Sequence, residues 1–238
     1  MADQPDARGP VRDGIALGVA VGVSGLAFGA AAVSSGLSVG QACALSLLTF
    51  TGASQFALTG TVAAGGSLVA GTISAILLGS RNMLYSLRLA GSLQTRGARR
   101  LLAAQGIIDE TTAISLAQPD PAATRAAFWA TFASLYLTWN AATVLGAVGA
   151  GQLGSPQAIG LDVVGPAAFL ALIWPRLRAG AAERGAGLLG VAIALGTTPL
   201  LPPGVPVILA ATAALIVALI TQRSPQDESR ADAVHGPS

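Results

Sequence analysis

Charged side chains are scarce in this chain. Aspartate, glutamate, lysine and arginine make up 10% of its 238 residues, whereas soluble domains carry about 25%. Three long segments contain no charged residue at all: Gly14–Ser80, Ala126–Leu161 and Gly185–Gln222. About 20 apolar helical residues cross a bilayer, so each segment can hold at least one crossing. The shortage of charge therefore excludes an ordinary soluble domain and predicts an all-α, polytopic integral membrane protein with about six to eight membrane helices.

Side chains that carry catalysis or bind metals are equally few. Cys43 is the only cysteine, so an internal disulfide is excluded, and His235, the only histidine, lies in a polar tail. The sequence has no Ser/His/Asp set, phosphate-binding loop or zinc-ligand spacing, which argues against an enzyme. The formal net charge is +2, and the basic residues are arginines scattered in short connectors, as topology determinants are. We expect no catalytic residue, metal, cofactor or nucleic-acid partner.

The hydrophobic segments divide the chain into three parts. We expect residues 1–13 to form a polar N-terminus, 14–222 a membrane domain and 223–238 a disordered tail. The expected spans are about Gly14–Val33, Val39–Ala64, Ser67–Leu89, Ala123–Val148, Ile159–Trp174, Gly185–Leu200 and Val205–Gln222. A shorter helix is expected at Leu101–Leu116. A cleavable signal peptide ending near Ala30–Ala32 is the alternative for the first span, but its length suits an uncleaved helix better.

Glycine is abundant, and in the first span it follows a regular spacing. Gly14, Gly18 and Gly22 repeat every four residues, and Gly25 and Gly29 continue the series. These spacings place all five near one face of a helix. Glycine faces let helix backbones approach closely in membranes. We therefore expect another helix to pack tightly against this face.

The arginines constrain the topology. By the positive-inside rule, the connectors Arg96–Arg100 and Arg176–Arg184 are expected in the cytoplasm, together with both termini. That arrangement requires an odd number of crossings between the first span and Arg96–Arg100, and single crossings by Val39–Ala64 and Ser67–Leu89 would violate it. The conflict disappears if Val39–Ala64 enters the membrane and returns to the same side. The alternative is that Leu101–Leu116 also dips into the membrane and the arginines are exceptions.

The segment Val39–Ala64 carries no charge, and its centre, TFTGASQF, holds two threonines, a glycine, a serine and a glutamine. Gly52 lowers helix propensity there, so the sequence predicts a broken or re-entrant helix at Thr49–Gly60. Broken helices let transporters bind substrate near the midplane. We expect Thr51–Gln55 to be non-helical, with the Gln55 side chain in a cavity. One continuous helix with small polar residues against its neighbours is the alternative. Three apolar neighbours are expected to receive an aliphatic side chain of the substrate: Phe50, Phe56 and Leu58.

Four motifs in order resemble the AzlC family, the large subunits of two-component branched-chain amino acid exporters. They are TGASQF, SRNMLYSLRL (Ser80–Leu89), GIIDE (Gly106–Glu110) and GLDVVGPAAFLALIWP (Gly160–Pro175). The second motif departs from the form typical of the family, because Asn82 replaces a common histidine and Ser86 a common glycine.

The resemblance implies a multi-pass permease subunit of the cell (inner or plasma) membrane. It implies export of valine, leucine and isoleucine, with methionine as a further candidate, by proton-coupled secondary transport. It also implies a small, separately encoded AzlD-type membrane subunit as partner. A channel-like or scaffold subunit that does not itself couple transport is the alternative function, since broken helices also build selectivity filters.

Ten residues are candidates for the site. The candidates for substrate binding are Thr51, Gly52, Ser54, Gln55, Arg81, Asn82 and Tyr85. The candidates for proton coupling are Asp109, Glu110 and Asp162.

Each charged candidate has a simpler alternative. The Arg81 guanidinium suits a carboxylate, and Tyr85 shares its helix face, but Arg81 can also extend to lipid headgroups. Asp162 can serve as a protonation site or complement a helix dipole. Asp109 and Glu110 can form a proton relay or a solvated face.

The topology is tested by cysteine labelling of intact cells. We predict that cysteines introduced at Gln94 and Ala179 resist an impermeant thiol reagent, because both connectors face the cytoplasm. Labelling at Ala179 would overturn the assignment of the later helices. Labelling at Gln94 alone would remove the argument that Val39–Ala64 turns back.

Overall fold

The computed structural model describes residues 8–152 and 177–201, together with residues 170, 173–174, 205–206, 209–210, 212–213 and 216–217. Within these residues every regular element is an α-helix, so the all-α prediction is confirmed there. The helices are α1 (Arg8–Gly22), α2 (Gly25–Ser34), α3 (Val39–Leu48), α4 (Gly52–Ala63), α5 (Leu68–Gly79), α6 (Arg81–Leu93), α7 (Ala98–Gly106), α8 (Asp109–Leu116), α9 (Pro121–Gln152) and α10 (Ala181–Thr197). Two expected spans, Ile159–Trp174 and Val205–Gln222, lie mostly outside the described residues, as do Asp162 and the tail 223–238.

The central pair of the fold is α9 and the first span. The expected helix Gly14–Val33 is present, although a turn at Val23–Ser24 separates α1 from α2. Among the described residues, Gly9–Ser34 is the one helix long and apolar enough to cross a membrane. Since α1 begins at Arg8, part of the expected polar N-terminus 1–13 is helical.

The predicted glycine face is confirmed. A Cβ added at Gly14 would lie 3.0 Å from the Ala127 carbonyl oxygen of α9. Further along, a Cβ at Gly29 would collide with the Thr143 carbonyl oxygen. The order of these contacts shows that α1 and α2 run parallel to α9. Gly146 of α9 allows an equally close approach, because a Cβ added there would collide with the Leu26 carbonyl oxygen of α2.

Helix α3 runs back along the C-terminal half of α9. It begins after a turn in which Ser38 caps the helix and Gln41 completes a capping box. Val39 then lies beside Gly151, and Ser46 Oγ donates to Thr143 Oγ1 at 3.2 Å. The helix ends at Leu48, roughly midway along α9.

Helix α4 turns back toward the end from which α3 came. After the break at Thr49–Thr51, it packs against α2 and α5, and Phe56 contacts Phe28 of α2 edge-on, with ring centroids 5.7 Å apart. A turn at Gly65–Gly66 leads into the antiparallel α5, where Ser54 Oγ donates to the Ala75 carbonyl at 2.8 Å. Thus α3 and α4 form a helical hairpin whose tip lies in the middle of the molecule.

A second hairpin approaches from the opposite end. Helix α7 starts near the beginning of α9, where Arg99 stacks over Trp129, and ends at Gly106 against the Phe132 ring. Helix α8 then returns beside α1, α6 and α9 to the loop before Pro121. The prediction of one helix at Leu101–Leu116 was therefore wrong, because the chain breaks at Ile107–Ile108.

The segments flanking the hairpins differ slightly from expectation. The expected span Ser67–Leu89 is divided at Ser80, so Arg81 begins α6 instead of lying inside a continuous helix. The expected span Ala123–Val148 is present and longer, as α9. Gly185–Leu200 corresponds to α10, which starts earlier, at Ala181.

The close packing of the first span is tested by a matched pair of substitutions in α9. We predict that Gly146→Ala destabilises the protein by about 1–3 kcal/mol, because the new methyl group collides with the Leu26 backbone. Gly149→Ala meets nothing within 4 Å, so it should be neutral or stabilise by up to about 1 kcal/mol through helix propensity. Thermal unfolding in detergent measures both. Equal unfolding temperatures for the two variants would contradict the packing.

Candidate functional site

The end of α3 is a broken helix end whose carbonyl groups lack helical partners. Gln105 Nε2 of α7 donates to the carbonyl oxygens of Leu47 and Leu48, at 3.0 and 3.3 Å. Tyr136 OH of α9 also donates to the Leu47 oxygen, at 3.1 Å. Side chains from two other helices therefore satisfy this end, and Gln105 joins the tips of the two hairpins directly.

Gln55 provides a further hydrogen bond at the end of α3, from the protein interior. Its side chain is fully buried, and its Nε2 donates to the Thr49 carbonyl at 2.8 Å. Its Oε1 accepts a hydrogen bond from Trp139 Nε1 at 3.1 Å. Gln55 thus connects the break in the first hairpin to α9, and Trp139 is held by that bond.

A cavity of about 170 Å³ lies where the two tips meet. Its polar wall combines the start of α4, Thr51 to Ala53, with Arg81 of α6 and with Asp109 and Glu110 of α8. Its apolar wall consists of Val21, Phe50, Ile108, Leu135, Trp139 and Ile173. A cavity of about 150 Å³ is sufficient for benzene, so this one can hold a small organic molecule.

Arg81 and Asp109 form an ion pair at the cavity. Arg81 Nη2 donates to Asp109 Oδ2, and Tyr85 OH donates to Asp109 Oδ1 at 2.7 Å. The side chains of Arg81 and Asp109 are 34% and 22% exposed. The Nε atom of Arg81 is buried and has no hydrogen-bond partner. The guanidinium has five N–H donors, so the bond from Nη2 to Asp109 leaves others for a second anion.

Both tips present a helix N-terminus to the cavity. The first amides of a helix lack helical acceptors and carry partial positive charge. At α4, Thr51 provides no side-chain cap, so Gly52 and Ala53 bring that charge to the cavity wall. At α8, Asp109 and Glu110 occupy the first turn and counter its dipole. The cavity lining thus combines the positive start of α4 with the carboxylates of α8.

The structure brings together half of the ten predicted site residues. Thr51, Gly52, Arg81, Asp109 and Glu110 line the cavity. Tyr85 reaches it through its bond to Asp109, which confirms that Arg81 and Tyr85 share a face. Arg81 is paired with Asp109 and does not simply extend to lipid headgroups.

Other expectations need correction. The helix break predicted at Thr49–Gly60 is confirmed, but it is confined to Thr49–Thr51, and the prediction that Thr51–Gln55 is non-helical was wrong. Gln55 does not line the cavity because its amide is used to hold the break. Ser54 is buried against α5. Of the three expected apolar contacts, Phe50 lines the cavity, whereas Phe56 packs on α2 and Leu58 on α5.

Two further points concern residues near the site. Asn82 flanks Arg81 outside the cavity, and its Oδ1 is buried without a partner. The cavity residues that sequence analysis missed are mostly apolar, and Trp139 is the most informative of them. The available signal was an aromatic residue inside an uncharged span. Which residues face Trp139 across the cavity depends on packing between helices that are distant in the sequence.

The model of the AzlC protein family matches residues 16–153, which contain both hairpins and all the polar cavity residues. The chain belongs to the AzlC family. No curated protein and no solved structure matches it significantly. Family membership and the apolar helix Gly9–Ser34 indicate a membrane protein related to transport.

The structural role of Gln55 is tested against Gln105, which bonds to the same helix end. We predict that Gln55→Leu destabilises the protein by about 1–3 kcal/mol, since it leaves buried polar groups unsatisfied. Gln105→Leu should cost less, because Tyr136 still donates to the Leu47 carbonyl and the residues around this bond are less buried than Gln55. Unfolding of both variants in detergent gives the comparison. A larger loss for Gln105→Leu would show that the buried bonds of Gln55 do not hold the break.

Proposed function

We propose that the chain is the permease subunit of a proton-coupled system that exports branched-chain amino acids. In this proposal it is a multi-pass protein of the cell membrane with both termini cytoplasmic. It works with a small AzlD-type subunit, and it moves valine, leucine, isoleucine and methionine. The family supports transport, and the cavity supports the class of substrate.

The observation that carries the proposal is the combination of charges and apolar walls in the cavity. A zwitterionic amino acid needs partners for both of its charges. The guanidinium donors of Arg81 that do not bond to Asp109 and the start of α4 suit its carboxylate. Asp109 and Glu110 suit its ammonium group, and an aliphatic side chain fits the wall formed by Phe50, Ile108 and Trp139 among others.

The hairpins supply a route for alternating access. One reaches the cavity from the C-terminal end of α9 and the other from its N-terminal end, so opening either would expose the cavity to one side only. The link between Gln105 and the end of α3 holds the tips together. Exposed apolar residues on α5 and α6, such as Ile76, Met83 and Leu87, suit contact with lipid.

Asp109 is the proposed coupling residue. In the structure it accepts hydrogen bonds from both Arg81 and Tyr85. Protonation of Asp109 would remove the negative charge that pairs with the substrate's ammonium group, so a proton and the substrate would compete for this carboxylate. Proton uptake and substrate binding would then share one residue. Glu110 lies in the same turn and is the second candidate.

The channel alternative also has a specific observation in its favour. Two half-helix N-termini face one central cavity, and such dipole ends select ions in channels. A channel moves its substrate only downhill. Accumulation against a gradient therefore separates the two functions.

The test is transport by the chain reconstituted with its small partner subunit in proteoliposomes. We predict that an imposed proton gradient drives labelled leucine, valine and methionine uphill. Asp109→Asn should reduce uphill transport at least about tenfold while leaving leucine exchange partly intact, because the amide cannot take up a proton. Asp120→Asn is the matched control, since Asp120 only caps α9 at Ala122 and Ala123.

Two results would count against the proposal. Leucine flux that never exceeds equilibrium in the unaltered complex would favour the channel. Normal uphill transport by both Asp109→Asn and Glu110→Gln would remove these carboxylates from coupling, although the cavity could still bind the substrate.

A further inference from the structure

A second site lies at the opposite end of α6 from the cavity. The connector between α6 and α7 and the first turns of α9 enclose an open cleft of about 650 Å³. Three arginines from separate segments line it: Arg96 of the connector, Arg99 of α7 and Arg125 of α9. No carboxylate among the described residues lines the cleft or lies within salt-bridge distance of these arginines. The cleft is therefore strongly cationic.

Two of the three arginines are held in place. Arg125 Nη1 donates to the Ser92 carbonyl at 2.9 Å, and the Arg99 guanidinium lies 5.9 Å from the centre of the Trp129 ring. Arginines that served only as topology signals would not need fixed partners on neighbouring helices. Fixed guanidinium groups are typical of sites that bind phosphate by paired hydrogen bonds.

The backbone adds to the positive charge. Gln94 and Gly97 both adopt positive φ values, 47° and 55°, so the connector turns sharply and α7 begins at the cleft. Gly97 provides no side-chain cap for that helix. The first amides of α7 therefore lie close to Arg96 and Arg99, and an anion there would also complement the helix dipole.

The floor of the cleft is apolar. It is formed by Leu93, Ala126 and Trp129, beneath the arginines. Trp129 is only partly buried, and tryptophan is enriched where membranes meet water. A free phosphate ion would gain nothing from such a floor, whereas the glycerol and upper acyl chain of a lipid would contact it.

The position of the cleft agrees with a lipid ligand. It lies at the end of α9 where α1 also begins, which the distribution of arginines assigns to the cytoplasmic face. Basic pockets between membrane helices on that face bind the head groups of anionic lipids. We propose that this cleft binds the phosphate of an anionic phospholipid headgroup, with Arg96, Arg99 and Arg125 as its ligands.

The proposal is tested in nanodiscs of phosphatidylcholine containing phosphatidylglycerol, with native mass spectrometry to count retained lipid. We expect one phosphatidylglycerol to be retained in preference to phosphatidylcholine. Each of Arg96→Gln, Arg99→Gln and Arg125→Gln should lower its affinity about fivefold, which corresponds to about 1 kcal/mol for one basic residue at an anionic surface. Arg88→Gln, an exposed arginine of α6 outside the cleft, should change nothing.

Arg96→Gln guards against a folding defect, because Arg96 is exposed and its loss leaves the packing intact. A second experiment adds inorganic phosphate as a competitor for the retained lipid. Retention of phosphatidylglycerol that millimolar phosphate does not displace supports a lipid ligand. Binding of phosphate without lipid retention would overturn the lipid assignment. Equal retention of the two lipids, or an equal loss in Arg88→Gln, would overturn the site itself. The leucine transport assay does not enter this test.

Discussion

The fold depends on one constraint: a helix that ends inside the helical assembly leaves carbonyl groups that must find partners. Helix α3 ends in this way at Leu48. Its last carbonyls are satisfied by Gln105, Tyr136 and Gln55, which come from α7, α9 and α4. Because each donor belongs to a different helix, the break can exist only when these helices are assembled around it.

The chemistry of the cavity follows from the same break. A helix that stops must start again, and the restart at Gly52 presents uncapped amides to the space that the break opens. The second hairpin restarts at Asp109, whose carboxylate is held by Arg81 and Tyr85. Positive and negative partners therefore face one small cavity, although neither hairpin contains both. Arg81 can lie partly buried beside this cavity because Asp109 pairs with it.

Sequence reasoning succeeded where a local pattern has one physical meaning. The glycine spacing from Gly14 to Gly29 predicted a close helix contact, and α9 provides it. The polar centre of Val39–Ala64 correctly predicted a break in the helix. The predicted non-helical segment, Thr51–Gln55, lies too far toward Gln55, because the break is confined to Thr49–Thr51. Gln55 must be helical so that its amide can reach back to Thr49, and that requirement is visible only in three dimensions.

The second break was missed because Ile107 and Ile108 are apolar and no proline interrupts the segment. Gly106, followed by the acidic pair Asp109 and Glu110, was the available signal for one helix ending and another beginning. The apolar cavity wall could not be predicted either. The position of Trp139 depends on two long-range contacts. The glycines of α1 and α2 pack closely against α9, and Gln55 accepts a hydrogen bond from the indole.

The most direct test of this account is cross-linking between the hairpin tips in native membranes. With Cys43 replaced by alanine, cysteines at Leu48 and Gln105 should be joined rapidly by a short bis-maleimide, because Gln105 bonds to the Leu48 carbonyl. Cysteines at Leu48 and Leu116 should not be joined, since α8 carries Leu116 away from the tip. Failure of the first pair to cross-link, although each cysteine alone is labelled, would show that the two hairpins do not meet.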